Sequence, residues 1–167
     1  MERALDWFAL RVKPRTERVV ADALAGKGYE QFLPLHKERK RWSDRVKMVE
    51  TPLFAGYVFC RFDVQQRLPI LTTPGVMHVV GIGQTPYPID EAEIASLRVV
   101  ADSGLQMESW PYLHVGQRIQ IVSGPLTGAS GILQSVKSRD RLVVSISLLQ
   151  RSVAVEVPEH CAWPASA

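Results

Sequence analysis

The side chains able to serve as nucleophile, base or metal ligand are few and scattered. His36, His78, His114 and His160 fall in four different predicted elements, and none has a cysteine or carboxylate at metal-ligand spacing. His160 and Cys161 are adjacent, a poor geometry for a nucleophile–base pair steadied by a third group. Gly124-Pro125-Leu126-Thr127-Gly128 lacks the lysine and the following helix of a phosphate-binding loop. These patterns support no cofactor, no metal and no catalysis, so the chain reads as a binding protein rather than an enzyme.

Two stretches carry binding chemistry instead. Between His36 and Lys47 stand Lys37, Arg39, Lys40, Arg41, Arg45 and Lys47, opposed only by Glu38 and Asp44. Lysine and arginine displace condensed counterions from phosphates, and Trp42, at the tip of a hairpin predicted around Arg41 to Arg45, offers a stacking face to an unpaired base. The competing reading is a solvated hairpin whose charges serve solubility. Lys13, Arg15 and Arg18 extend the basic character at the first strand–helix junction.

The second stretch, residues 53–62, is apolar on both faces of a predicted core strand. Strict alternation puts Phe54, Val58, Cys60 and Phe62 on one face and Leu53, Tyr57 and Phe59 on the other, with Gly56 placed to bend the strand. One face is expected to pack on the domain's own helices. The other meets a further helix or stays exposed as a partner site.

The elements that must position these residues follow from pattern. A strand over residues 7–12 precedes a helix that Thr16 caps, running to about Lys27 with Val20, Ala23, Leu24 and Lys27 on one stripe. A strand over 30–35, the basic hairpin and the 53–62 strand come next. A short helix with Pro69 in its first turn follows, ending before Pro74-Gly75. A strand over 76–82 leads to a helix from Asp90 to about Asp102, opened by a capping box of Asp90 and Glu93, with Ile94, Leu97 and Ala101 inward. This order predicts an α+β domain with a mainly antiparallel sheet over residues 1–103. Residues 104–114 read as a linker.

Residues 115–160 read as a small all-β barrel with strands over 118–122, 132–137, 142–148 and 152–157. Gly124, Gly128 and Gly131 are assigned to a tight reversal between the first two. The whole chain has 167 residues, is 46% hydrophobic and 22% charged, and carries a net charge of +3, so a soluble protein of one or two domains with a mildly basic surface is expected. Two cysteines without a disulfide or zinc spacing, a Met1-to-Asp6 opening without a leader's apolar core, and no apolar run near the roughly 20 residues of a membrane span predict a cytoplasmic protein.

The run from Val115 to Leu133 resembles the KOW motif of SH3-like barrels. Taken with Trp7-Phe8-Ala9-Leu10, Phe32-Leu33-Pro34, residues 52–59, Thr73-Pro74-Gly75-Val76 and Pro88-Ile89-Asp90, the pattern is similar to the NusG family of transcription elongation and antitermination factors, an N-terminal domain of NusG type followed by a KOW barrel. The resemblance implies binding to the clamp helices of the largest catalytic subunit of bacterial RNA polymerase, suppression of pausing and termination, and an apolar pocket matched by Leu53, Phe54, Tyr57 and Phe59. It implies that Lys13, Arg15, Arg18, Lys40, Arg41, Trp42 and Arg45 lie in the region facing upstream or non-template DNA. It also implies that the barrel recruits a small-subunit ribosomal protein or the factor Rho. Residues 35–42 and 148–153 are similar to specialised RfaH-like or UpxY-like paralogues. A ribosome- or RNA-binding KOW protein is the alternative. Against it, Arg118, Lys137, Arg139, Arg141 and Arg151 face Asp140, Glu156 and Glu159, a net +2 that is weak for a dedicated RNA binder.

Overall fold

The computed structural model describes residues 5–163; residues 1–4, read above for the missing leader core, lie outside it. In chain order the elements are β1 (Asp6–Val12), α1 (Glu17–Gly26), β2 (Glu30–Phe32), β3 (Leu35–Arg41), β4 (Val46–Pro52), β5 (Tyr57–Phe62), a 3-10 turn (Val64–Gln66), α2 (Leu68–Leu71), β6 (Val76–Val79), β7 (Gly81–Ile82), β8 (Thr85–Pro86), α3 (Glu91–Asp102), β9 (Met107–Trp110), β10 (Gln117–Gln120), β11 (Ser130–Val136), β12 (Arg139–Ile146), a second 3-10 turn (Ser147–Leu149) and β13 (Arg151–Glu156). The contacts divide the chain into two units. One holds residues up to 34 with 54–91, the other residues 35–53 with 92 onward.

In the first unit a four-stranded antiparallel sheet has the order β2-β5-β1-β6. Alternation sends Phe8, Leu10 and Val12 of β1 and Val58, Cys60 and Phe62 of β5 to one face. There they bury against Val20, Ala21 and Leu24 of α1 and Ile70 of α2. Each large side chain buried there contributes about 1.5–3 kcal/mol of transfer free energy.

Several expectations need correction in this unit. Thr16 occupies the position before α1 but its hydroxyl makes no cap; it donates to the Lys13 carbonyl at 2.6 Å instead. The helix stripe runs through Glu17, Val20, Ala21 and Leu24, because the neighbouring turn draws Glu17 inward, and Lys27 stays exposed. The short helix with an early proline is present: Asp63 accepts from the Gln65 N–H, and Pro69 sits in the first turn of α2. The strand over 76–82 divides into β6 and β7, the latter pairing with β8.

The second unit holds the ribbon of β3 and β4 and a five-stranded antiparallel sheet of order β10-β11-β12-β13-β9. The four predicted barrel strands are present with their ends displaced by one to three residues, and 147–148, read into the third, belong to the second 3-10 turn. Lys137 and Ser138 both take positive φ, as a two-residue turn between right-twisted strands requires. Met107–Trp110, inside the stretch read as linker, is a fifth barrel strand paired with β13. Gly131 does not belong to the reversal. It lies within β11, where a Cβ would stand 2.4 Å from the Val143 carbonyl oxygen, so its role is close approach of the partner strand. In α3, Ile94, Leu97 and Val100 are buried, with Val100 taking the place assigned to Ala101. Glu93 accepts from the Ser147 hydroxyl at 2.6 Å, and the Ser96 hydroxyl accepts from the Ser130 N–H at 3.0 Å.

Candidate functional site

The predicted 53–62 strand begins only at Tyr57, and the reason is local. Residues 54–57 form a turn in which the Tyr57 N–H donates to the Phe54 carbonyl at 3.1 Å. Gly56 is the third residue of that turn and has φ +84°, a value that favours glycine. Its carbonyl accepts from the Val12 N–H at 2.9 Å, and its own N–H donates to Glu17 Oε1 at 3.2 Å. Glu17 is buried, so a carboxylate on the first residue of α1 fixes the turn.

This turn overturns the alternation drawn for Phe54. Strand parity does not extend through it, and the Phe54 ring meets Phe59 edge-on at 5.6 Å. Phe59 also lies 6.2 Å from Phe32. Phe54 therefore joins the face of Phe59, opposite Val58, Cys60 and Phe62. Tyr57, across from Arg11 in the β1–β5 register, has the Arg11 guanidinium 4.9 Å from its ring centroid. Leu53, Phe54 and Phe59 are buried, at 5%, 2% and 0% exposure, and Tyr57 alone of the four is partly exposed.

The basic candidates fall into two groups. Lys13 and Arg15 are exposed on the turn between β1 and α1, where Arg15 has φ 66°, and Arg18 is exposed on α1. Lys40, Arg41, Trp42 and Arg45 are exposed at the far end of the ribbon. There the Trp42 N–H donates to the Arg45 carbonyl at 2.8 Å and the Arg45 N–H to the Trp42 carbonyl at 3.4 Å, closing the hairpin over Ser43 and Asp44. The register sets Lys40 against Lys47, Arg41 against Val46 and Arg39 against Met48.

Three features escaped sequence reading. Glu17 and Arg11, which hold the turn and the Tyr57 ring, look like surface charges when read in isolation. Lys47 pairs with Lys40 only through the ribbon register. On the barrel, Glu108 and Trp110 were assigned to linker, yet Arg141 lies 3.5 Å from the Glu108 carboxylate and 5.0 Å from the Trp110 ring centroid. Glu108 and Arg141 border an open cleft of about 390 Å³ together with Glu156. Among the described residues no three His, Cys, Asp or Glu side chains gather as a metal site, and no helix is long and apolar enough to cross a membrane. Cys60 is fully buried, and burial pushes its thiol up to about 12.

Comparison with known proteins agrees with this architecture. The family model described as NusG, transcription termination factor nusG, matches residues 5–98. The chain is 22% identical to the transcription termination/antitermination protein NusG of Helicobacter pylori, over 92% of this chain and 94% of that one. It is 24% identical to the Thermus thermophilus protein of the same name (92% and 95% covered) and 28% identical to that of Deinococcus radiodurans (92% and 96%). The solved structure of Thermotoga maritima NusG superposes with a TM-score of 0.54 at 19% identity, covering 92% of this chain and 93% of that chain, a likeness of fold.

Proposed function

We infer that this chain, which belongs to the NusG family of transcription factors, travels with bacterial RNA polymerase during elongation and holds it through the first unit. The contact is to the clamp helices of the largest catalytic subunit. Tyr57 makes it directly, and Phe54 and Phe59 form the apolar wall behind. The observation that carries this reading is the 54–57 turn. It gathers Phe54 with Phe59 and leaves the Tyr57 ring half-open, braced by Arg11 on one side. A half-exposed aromatic side chain on a rigid support is the type of residue that dominates protein interfaces. Bridging the polymerase this way suppresses pausing and termination without chemistry by the factor itself.

Lys13, Arg15 and Arg18 and the tip of the ribbon face upstream or non-template DNA. The barrel recruits a second protein, a small-subunit ribosomal protein or Rho. A barrel whose Arg139 and Arg141 are matched by Glu156 at 3.3 Å and Glu108 at 3.5 Å is better suited to a protein partner than to RNA. Tethering raises the local concentration of that partner without strengthening any single contact.

The test is capture of core RNA polymerase by the full chain. Tyr57→Ala is expected to weaken binding by at least about tenfold, a loss of roughly 1.4 kcal/mol, with an unchanged circular dichroism spectrum. Binding within twofold of the parent would remove Tyr57 from the contact. Phe59→Ala cannot serve the same purpose. A phenylalanine at 0% exposure costs about 3–5 kcal/mol when truncated, so that variant would lose stability along with binding.

A further inference from the structure

We propose that one face of the ribbon's far end, made of Lys40, Trp42, Arg45 and Lys47, is a platform for single-stranded nucleic acid. Trp42 stacks on an unpaired base, and Lys40 and Lys47 share the neighbouring backbone phosphate. This rests on the nucleic-acid reading above and adds the face and the state of the strand.

The register supplies the first argument. Directly opposed residues of an antiparallel pair share a face, and faces alternate along each strand. Arg41 with Val46, Arg39 with Met48 and Lys37 with Glu50 therefore lie on one face of the ribbon. Lys40 with Lys47, Glu38 with Val49 and His36 with Thr51 lie on the other. Trp42 and Arg45, joined by two backbone hydrogen bonds, form the next rung, which alternation places with Lys40 and Lys47. The basic tip that looks continuous in sequence is thus split. Arg41 leaves the group, and Lys47 joins it.

The second argument is electrostatic. Like charges directly opposed across a strand pair destabilise it, and a two-stranded ribbon has little stability in reserve. Lys40 and Lys47 stand in that arrangement, and neither has an ion-pair partner among the described residues. Glu38, on the same face, has its carboxylate 3.3 Å from Nε2 of His36, the residue one same-face step further from the lysine pair. An anion seated between the two ammonium groups relieves them. No rung on the Arg41 face opposes two cations, since each cation there faces Val46, Met48 or Glu50.

Trp42 supplies the third. It is 56% exposed, one same-face step of about 6.8 Å from the lysine pair. Anion binding alone has no use for an exposed indole. A base face does, and base faces are accessible only when the strand is unpaired, because a duplex hides them in its stack. The shared chemistry, an unpaired base beside its phosphate, belongs equally to a displaced DNA strand and to nascent RNA.

The experiment is fluorescence anisotropy of the full chain with a labelled oligonucleotide of about a dozen nucleotides, offered as single-stranded DNA, as RNA and as duplex DNA over a salt series. Both single strands are expected to bind at least about tenfold more tightly than the duplex, and the tighter of the two identifies the source. The slope of log K against log salt should be at least as steep as about −0.7, the value for one phosphate contact on a single strand. Lys47→Gln is expected to lower affinity several-fold and to flatten the slope. Trp42→Ala should weaken binding about fivefold or more with the slope unchanged. Arg39→Gln and Arg41→Gln, on the opposite face, should stay within twofold. Equal loss from Arg41→Gln and Lys47→Gln, or duplex binding as tight as single-strand binding, overturns the platform while leaving a nucleic-acid role for the ribbon. No binding to any of the three at low salt overturns that role as well.

Discussion

Replacing Gly56 by alanine isolates the turn that shapes the proposed polymerase contact. The residue has φ +84°, and an L side chain in the left-handed region costs about 1–2 kcal/mol. The new Cβ would also lie 2.4 Å from Nη1 of Arg11 and 3.0 Å from its Cζ. Those atoms end a flexible side chain, so the guanidinium gives way and leaves the Tyr57 ring, forfeiting a further 0.5–1 kcal/mol, roughly, of cation–π attraction. A stiffer unfolded chain offsets about 0.4–1 kcal/mol. The net loss is about 1–2 kcal/mol, or about 4–8 °C in thermal midpoint per kcal/mol for a unit of this size. Urea denaturation of the parent, Gly56→Ala and Arg11→Met should order them parent, then Arg11→Met, then Gly56→Ala. Gly26, helical and with nothing within 4 Å of its would-be Cβ, is the control, and Gly26→Ala should stabilise slightly. A Gly56→Ala variant as stable as the parent would refute the turn geometry and the support it gives Tyr57.

Two further outcomes follow from buried and bridging groups. Lys27 donates from Nζ to the Pro69 carbonyl and to the Thr73 hydroxyl, both at 2.9 Å, so the residue that caps the end of α1 satisfies the open end of α2. Lys27→Met should lower stability by about 1 kcal/mol in a thermal melt, with partial recovery in Lys27→Arg. Cys60 should resist alkylation until the chain unfolds. Its thiol is pushed from the ordinary 9.0 to about 12, chiefly by burial. Above pH 9 the unfolded chain releases this proton while the fold retains it. The associated stability is therefore complete below pH 9 and falls as pH rises toward 12, by about 1.4 kcal/mol per unit. Between pH 9.5 and 10.5 the parent should lose about that much more than Cys60→Ala in chemical denaturation.

Most of the architecture was legible because it follows from periodicity. Strand alternation in β1 and in Val58, Cys60 and Phe62, proline in the first turn of α2, and valine-rich barrel strands are properties of short windows. What was lost depends on contacts between windows. The strand expected from Leu53 begins four residues later because the Gly56 turn is held by Val12 and Glu17, neither adjacent in sequence. The segment at Met107 has no strong strand pattern and becomes one only because β13 offers a free edge. The candidate site divides in the same way. Phe54, Tyr57 and Phe59 are recognisable as an aromatic group. That Phe54 turns toward Phe59, and that Arg11 supports Tyr57, depends on a register that the sequence does not display.

Charge counts assign roles poorly in this chain; the placement of the charges assigns them better. The barrel and the ribbon both have more cations than anions. In the barrel, Arg139 meets Glu156, and Arg141 meets Glu108 while lying over Trp110, so two of its cations are already engaged within the fold. Exposed pairs of this kind add little stability, but they leave little field to draw a polyanion. At the ribbon tip the opposite holds. Lys40 and Lys47 face each other with an indole one rung away, an arrangement that weakens the free protein. A fold tolerates such a rung where an outside partner supplies the missing charge. An excess of cations thus supports different proposals in the two places, a protein partner for the barrel and a nucleic-acid partner for the ribbon.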